Sequence, residues 1–184
     1  DSINIGSSNI TNDIARGIST TKDSAERLKT LYGSVISTPS DEYELIEVPI
    51  ESSEESEFKQ INRSTINSII KPRVEETLEL VWQKLKPYGI HKKRIKNLIL
   101  TGGGSQLEGI SEYAKIIFDS NVRLGKPFGI LNLSKEYSGP QFSQTIGSVF
   151  FNESQYELSF LKKSQNSKKN TVFSRFSSWL DQYI

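Results

Sequence analysis

The chain has no cysteine, no methionine and a single histidine in 184 residues. Without cysteine there is no disulfide, no thiolate metal site and no cysteine nucleophile. His91 alone cannot build a histidine-rich zinc site or supply a second histidine role. Methionine is missing at position 1 as elsewhere, and Asp1 is a poor residue to be exposed by simple removal of an initiator, which points to a piece of a longer protein. No apolar run approaches the roughly 18 residues of a membrane-spanning helix, and no secretory signal pattern opens the sequence. Charge of one sign is also lacking. The 23 Lys and Arg against 22 Asp and Glu leave a net +1, whereas a dedicated nucleic-acid binder is normally more basic. No nucleic-acid partner is expected.

What is present is unevenly placed. From Ser40 to Phe58 there are eight acids and no base; from Lys59 to Lys96 there are ten bases and three acids; from Leu161 to the end there are five bases and one acid. The chain thus has distinct electrostatic zones.

Local patterns give an order of elements. Ile3 and Ile5 before Gly6 read as a strand end and turn. Thr11 or Asn12 is the expected cap of a short helix through Ile14, Ala15 and Ile18. Thr20 with Asp23 resembles a capping box for a helix carrying Ala25, Leu28 and Leu31, stopped by Gly33. Glu44 to Ile50 alternates partly and reads as a strand, with Pro49 favouring an edge position. Glu51 to Glu57 is an acidic, serine-rich loop, read as a solvated tip. Ile66, Ile69, Ile70, Val74, Leu78, Val81 and Leu85 form the longest helical stripe, and Pro72 inside it predicts a kink or two abutting helices. A buried strand over Lys96–Thr101 runs into Gly102-Gly103-Gly104 and a helix through Leu107, Ile110, Ala114, Ile117 and Phe118. A strand at Asn121–Gly125 and a short helix at Gln141–Phe151 follow. Strands alternating with helices indicate an α/β layered fold.

Two groups of residues stand out for chemistry. The strand–Gly-Gly-Gly–helix unit lets backbone approach a ligand, and free amides at a helix start favour an anion or a polar ring. A glycine turn kept only for packing reads the same way. Glu26 and Lys29, three apart, share a helix face; by spacing alone they are an exposed ion pair of little consequence.

The C-terminal stretch carries a third signal. Val172, Phe173, Phe176, Trp179, Leu180, Tyr183 and Ile184 recur at spacings of three and four behind a polar, lysine-bearing stretch at 152–170. This is an amphipathic helix. Its apolar face has two possible destinations, the protein's own core or a membrane interface. The polar linker disfavours core docking, Trp179, Tyr183 and the phenylalanines suit a headgroup boundary, and the lysines add attraction to anionic lipid.

Several segments taken together resemble a known family. They are Asn9-Ile10-Thr11-Asn12-Asp13-Ile14-Ala15-Arg16-Gly17, Ser24-Ala25-Glu26-Arg27-Leu28-Lys29, Tyr32-Gly33, Ile70-Lys71-Pro72-Arg73-Val74-Glu75-Glu76, Leu100-Thr101-Gly102-Gly103-Gly104-Ser105-Gln106-Leu107-Glu108-Gly109, Val122-Arg123-Leu124-Gly125 and the terminal Ser177-Ser178-Trp179-Leu180. In that order they resemble the C-terminal portion of the bacterial cell-division family FtsA, of the actin/Hsp70 superfamily. The fold implied is a partial actin-like ATPase fold of α/β class, the second nucleotide-binding half with a small inserted subdomain, followed by a C-terminal amphipathic helix. Residues 1–151 correspond to the actin-like part, with the inserted subdomain at about 34–96. Residues 152–170 are a flexible basic linker, and 171–184 the membrane-targeting helix.

The resemblance also implies roles. Gly102, Gly103 and Gly104 match the adenosine motif, Gln106 stands near the base, and Glu26 and Lys29 match a pair bracketing adenine and ribose. Arg63, Lys71 and Arg73 lie where the family receives the acidic C-terminal peptide of the ring protein FtsZ; by charge alone they equally solvate their helix or neutralise the acidic loop. Asp13 reads as a cap rather than a ligand. The cofactor implied is ATP with magnesium in the intact parent, the partners are FtsZ, further copies in a polymer and anionic inner-membrane lipid, and the location is the cytoplasmic face of the bacterial inner membrane at the division site. Gly6-Ser7 departs from the family's usual Gly-Gly. The family's two phosphate-binding loops correspond to sequence upstream of Asp1, so hydrolysis by this chain is not expected. An Hsp70-like ATPase fits Glu26, Lys29 and the glycine turn equally well but gives no reason for the tail helix, which also argues against a pilus-assembly actin homologue.

Overall fold

The computed structural model describes residues 1–50, 57–90, 95–130 and 132–151. Most of the acidic loop (51–56), His91, the linker at 152–170 and the amphipathic helix at 171–184 lie outside the described residues. The chain forms two compact units, Asp1–Ser143 and Gln144–Ile184. Of the second, residues 144–151 are described, and they are helical.

In the first unit, α1 (Ser7–Gly17) and α2 (Lys22–Tyr32) form a helical pair. No strand forms at Ile3 and Ile5, and α1 starts earlier than either expected cap. The reason is Asn9, whose side chain accepts the Gly6 N–H at 2.9 Å and starts the helix at Ser7. The helix buries Ile10 and Ile14, one turn apart. The cap of α2 is Thr21, whose Oγ1 accepts the Ser24 N–H at 3.2 Å. Thr20, the expected cap, is buried and donates to the Pro49 carbonyl at 2.7 Å, so its hydroxyl serves a tertiary contact instead. Gly33 ends α2 as its spacing indicated, with its N–H on the Lys29 carbonyl.

An antiparallel hairpin follows, β1 (Leu45–Pro49) with β2 (Phe58–Asn62). Ile46 and Val48 are buried, while Leu45 and Glu47 alternate outward, as a half-buried strand requires. The chain then enters α3 (Arg63–Leu85), which is one helix of 23 residues rather than two. Ile66, Ile70, Val74 and Leu78 recur every four residues on both sides of Pro72, and all four are buried in one core. Pro72 itself is exposed, so the backbone hydrogen bond it removes is lost on the solvent face. Burial of the common stripe holds the helix through it.

The last part is a β–α–β unit. β3 (Asn97–Leu100) and β4 (Asn121–Leu124) pair in parallel, Leu98 opposite Val122, with α4 (Ile110–Phe118) as the crossover. The glycines do not open α4 directly. A short 3-10 turn, Gly103–Gln106, intervenes, and Gly109 in a left-handed conformation starts the helix. Phe118 is fully buried at the end of α4, with Trp82 of α3 edge-on at 6.4 Å between ring centroids. Among the described residues no helix is long and apolar enough to cross a membrane.

Candidate functional site

A cleft of about 600 Å³ lies between the α1–α2 pair and the glycine turn. Its walls include Ser7, Glu26, Lys29 and Gly33 on one side and Gly103, Gly104 and Gln106 on the other. Five of the six residues expected at a nucleotide site therefore meet at one cavity. The sixth, Gly102, shapes the turn. Its φ of 89° is a conformation that favours glycine. Its N–H donates to the Pro140 carbonyl at 3.0 Å, and its carbonyl accepts from the Ser105 N–H and hydroxyl. Gly104 faces Ser7, where an added Cβ would come within 3.2 Å of the serine Cβ. The two walls are locked together beyond the cleft, because the Val35 N–H donates to the Glu108 carbonyl at 2.9 Å.

Glu26 and Lys29 are more than a surface ion pair. Nζ of Lys29 donates to Oε2 of Glu26 at 2.7 Å, to the Ser7 hydroxyl at 2.9 Å and to the Thr11 hydroxyl at 2.9 Å, and Lys29 is buried. Burial pushes the Glu26 carboxyl up, but the hydrogen bonds from Lys29 and Thr11 and the charges of Lys29 and Lys22 outweigh it and hold the group below its ordinary value. It is an anion at neutral pH and an acceptor. By sequence alone Ser7, Thr11, Leu31 and Glu108 have no role at a site, yet Ser7, Leu31 and Glu108 line the cleft and Thr11 holds the Glu26–Lys29 pair. Ser7 and Thr11 carried one faint signal, two hydroxyls one helical turn apart on the same face.

The three expected partner-binding bases lie outside this cleft, and each is engaged. Arg63 donates to Oε2 of Glu108 at 2.6 Å and to the Tyr32 carbonyl at 2.8 Å, with Glu44 and Asp41 at 3.4 and 3.6 Å. Arg73 pairs with Asp13 at 2.5 Å and with Glu76. Asp13, expected as a cap, is instead an ion-pair partner. Lys71 lies over the Tyr113 ring, 5.9 Å from its centroid. The seven tail residues, Val172 to Ile184, are outside the described residues.

Residues 1–147 match the family model described as cell division protein FtsA. The chain belongs to the FtsA family. It is 38% identical over 152 residues to the cell division protein FtsA of Agrobacterium fabrum, covering 82% of this chain and 34% of that protein. It is 27% identical over 180 residues to FtsA of Escherichia coli K12, covering 93% of this chain and 42% of that one. The chain thus spans between a third and a half of the length of these curated FtsA relatives. Among solved structures it is similar to MreB5 of Spiroplasma citri bound to ADP, with a TM-score of 0.60 at 16% identity, over 83% of this chain and 45% of that one. The fold is actin-like. Membership of the FtsA family sets aside the Hsp70-like and pilus-assembly alternatives.

Proposed function

We propose that this FtsA-family chain is the adenosine-binding half of an ATP-dependent, actin-like division protein that polymerises at the cytoplasmic face of the inner membrane and tethers the FtsZ ring there. The observation that carries the reading is the single cleft that gathers Glu26, Lys29, Gly103, Gly104 and Gln106. Its volume falls within the roughly 300–1,000 Å³ of small-molecule sites. A backbone turn without side chains on one wall and an anionic acceptor on the other suit a flat base joined to a sugar that donates hydrogen bonds. The similar MreB5 structure holds ADP. Magnesium finds no ligand set here, since among the described residues no three acidic or histidine side chains converge. It comes to this proposal from the family resemblance alone.

The mechanism proposed is recruitment rather than turnover. The cleft holds the nucleoside, the bases of α3 meet the acidic FtsZ peptide, and the tail helix holds lipid. Arg63 and Arg73 already face acids, so an acidic peptide binds there by exchanging partners rather than by filling bare charge.

Calorimetric titration of the full chain with adenosine and with ATP tests the nucleotide part. Both are expected to bind, with affinities within about threefold of each other, because the cleft grips the nucleoside and not the phosphates. No heat from either, at millimolar ligand, sinks it. Flotation with anionic liposomes tests the tether. The whole chain is expected to float and a version ending at Asn170 to stay in solution, with Trp179→Glu behaving like the truncation. A large aromatic contributes roughly 1.5–3 kcal/mol on burial, so one charge in its place removes most of a marginal membrane affinity. Equal flotation of all three versions defeats the tether.

A further inference from the structure

The cleft carries one more assignment, which rests on the adenosine reading for its ligand but not for its geometry. Thr11 on α1 is 1% exposed and faces the Glu26–Lys29 pair across to α2. Its hydroxyl lies 2.5 Å from Oε2 of Glu26 and 2.9 Å from Nζ of Lys29. An ammonium only donates and an ionised carboxylate only accepts, so the direction of both bonds is fixed. Thr11 accepts from Lys29 and passes its single proton to Glu26. The direct bond from Lys29 to the same Oε2, at 2.7 Å, closes the ring.

Counting donors shows what this leaves for a ligand. Lys29 has three N–H groups, and Glu26, Thr11 and Ser7 take all three. The ammonium is spent inside the protein, and what Lys29 offers the cleft is its stem. Oε2 of Glu26 receives two bonds. Among the described residues Oε1 has no protein partner, although the side chain lines the cleft and is 55% exposed.

We propose that Thr11 is a positioning residue for this cleft: its hydroxyl ties Oε2 of Glu26 to Lys29 and so presents Oε1 as the acceptor for a sugar hydroxyl of a nucleoside. A glutamate with its side chain more than half exposed samples many rotamers when untied, and ordering it on binding costs affinity. Two bonds on one carboxylate oxygen remove that cost in advance. A valine has the shape of threonine without the hydroxyl. It would leave the buried ammonium one acceptor short and Glu26 on a single tether.

The test uses the full chain, with adenosine and 2′-deoxyadenosine titrated into wild type, Thr11→Val and Thr11→Ser, and the Glu26 carboxyl followed by carbon NMR against pH without ligand. In Thr11→Val, adenosine affinity is expected to fall about tenfold, as for one lost hydrogen bond to a charged group. The preference for adenosine over 2′-deoxyadenosine narrows, and Glu26 titrates at higher pH. Thr11→Ser restores all three. A valine variant that is merely less heat-stable, with preference and Glu26 titration unchanged, overturns the assignment. If wild type takes neither nucleoside, the ligand-free titration decides: a shift in valine restored by serine keeps the positioning role while the adenosine reading falls, and no shift ends both. Should Thr11→Val fail to fold, Thr11→Cys, whose thiol donates weakly, gives the same readouts at reduced size, and no change in it overturns the proposal.

Discussion

Asp41→Ala is expected to destabilise the protein by about 2–3 kcal/mol, the cost of stranding one buried donor and losing hydrogen bonds to a charged group, and to lower the melting temperature by roughly 5–10 °C. The carboxylate is 1% exposed. It accepts the Thr38 N–H at 2.9 Å, the Thr38 hydroxyl at 2.8 Å and the Asn67 amide at 2.9 Å, with the Arg63 guanidinium 3.6 Å away. Asn67 is itself fully buried, and its other end accepts the Ser34 N–H at 2.8 Å. One anion therefore joins the start of the hairpin region, the middle of α3 and the segment after α2. Alanine leaves the buried Asn67 amide without its acceptor, at a cost of about 1–3 kcal/mol, and removes the charged acceptor of the two Thr38 bonds, whose donors can turn to water. Thermal or urea denaturation measures it, and a change under 1 kcal/mol defeats the claim.

The same network fixes a pH dependence. The Thr38 N–H lowers the Asp41 pKa most; burial raises it, and the Thr38 hydroxyl, Asn67 and Arg63 lower it further, so the folded value lies below the ordinary 3.8. A depressed carboxylate binds its proton more readily in the unfolded chain, so its stabilisation is fully present above the ordinary value and is lost as pH falls through the folded one. When urea denaturation is repeated at decreasing pH, Asp41→Asn is expected to lose less stability than wild type over that interval.

How much of this was legible in the sequence depends on the reach of each interaction. The α3 stripe was legible because it repeats locally, the strand at Leu45–Pro49 was legible from its partial alternation, and the strand at Asn97–Leu100 as a short apolar run, although it is not the buried strand expected, since Ile99 is exposed. Pro72 misled because its cost falls on one exposed backbone group, whereas the stripe around it is buried as a unit. Thr20 and Thr21 are adjacent and chemically identical. Only the position of the Pro49 carbonyl, 29 residues on, decides which of them caps α2. Glu26 and Lys29 show the limit most clearly. Their spacing alone describes an exposed pair, and Lys29 is buried because α1 lays Ser7 and Thr11 over it. Asp41 and Asn67, 26 residues apart, carried no mark of their partnership, since a polar residue gives no sign in sequence of what satisfies it.

Gly33→Val is expected to damage both the fold and the cleft. The backbone there is ordinary, with φ −71° and ψ 130°, so glycine is not needed for its conformational freedom. It is needed for space. A Cβ would lie 2.5 Å from the Lys29 carbonyl oxygen, 3.2 Å from its carbon and 2.7 Å from Cδ1 of Ile70. The oxygen belongs to the last turn of α2 and accepts the Gly33 N–H, so it cannot withdraw without opening the helix end. Ile70 is fully buried and has no room to retreat. Overpacking of this kind costs about 3 kcal/mol, at the upper end of its usual range, because neither neighbour is a flexible surface group. The clash also falls at the residue that positions Glu26, so the carboxylate shifts even in molecules that remain folded, and adenosine affinity drops by more than about tenfold. Gly147→Ala is the control. Nothing lies within 4 Å of its added Cβ, and alanine suits the helix there, so stability is expected to hold or rise by up to about 1 kcal/mol. Calorimetric melting and adenosine titration on the two variants separate the cases. A Gly33→Val protein that melts and binds as wild type would mean that the end of α2 is not the rigid wall on which the cleft depends.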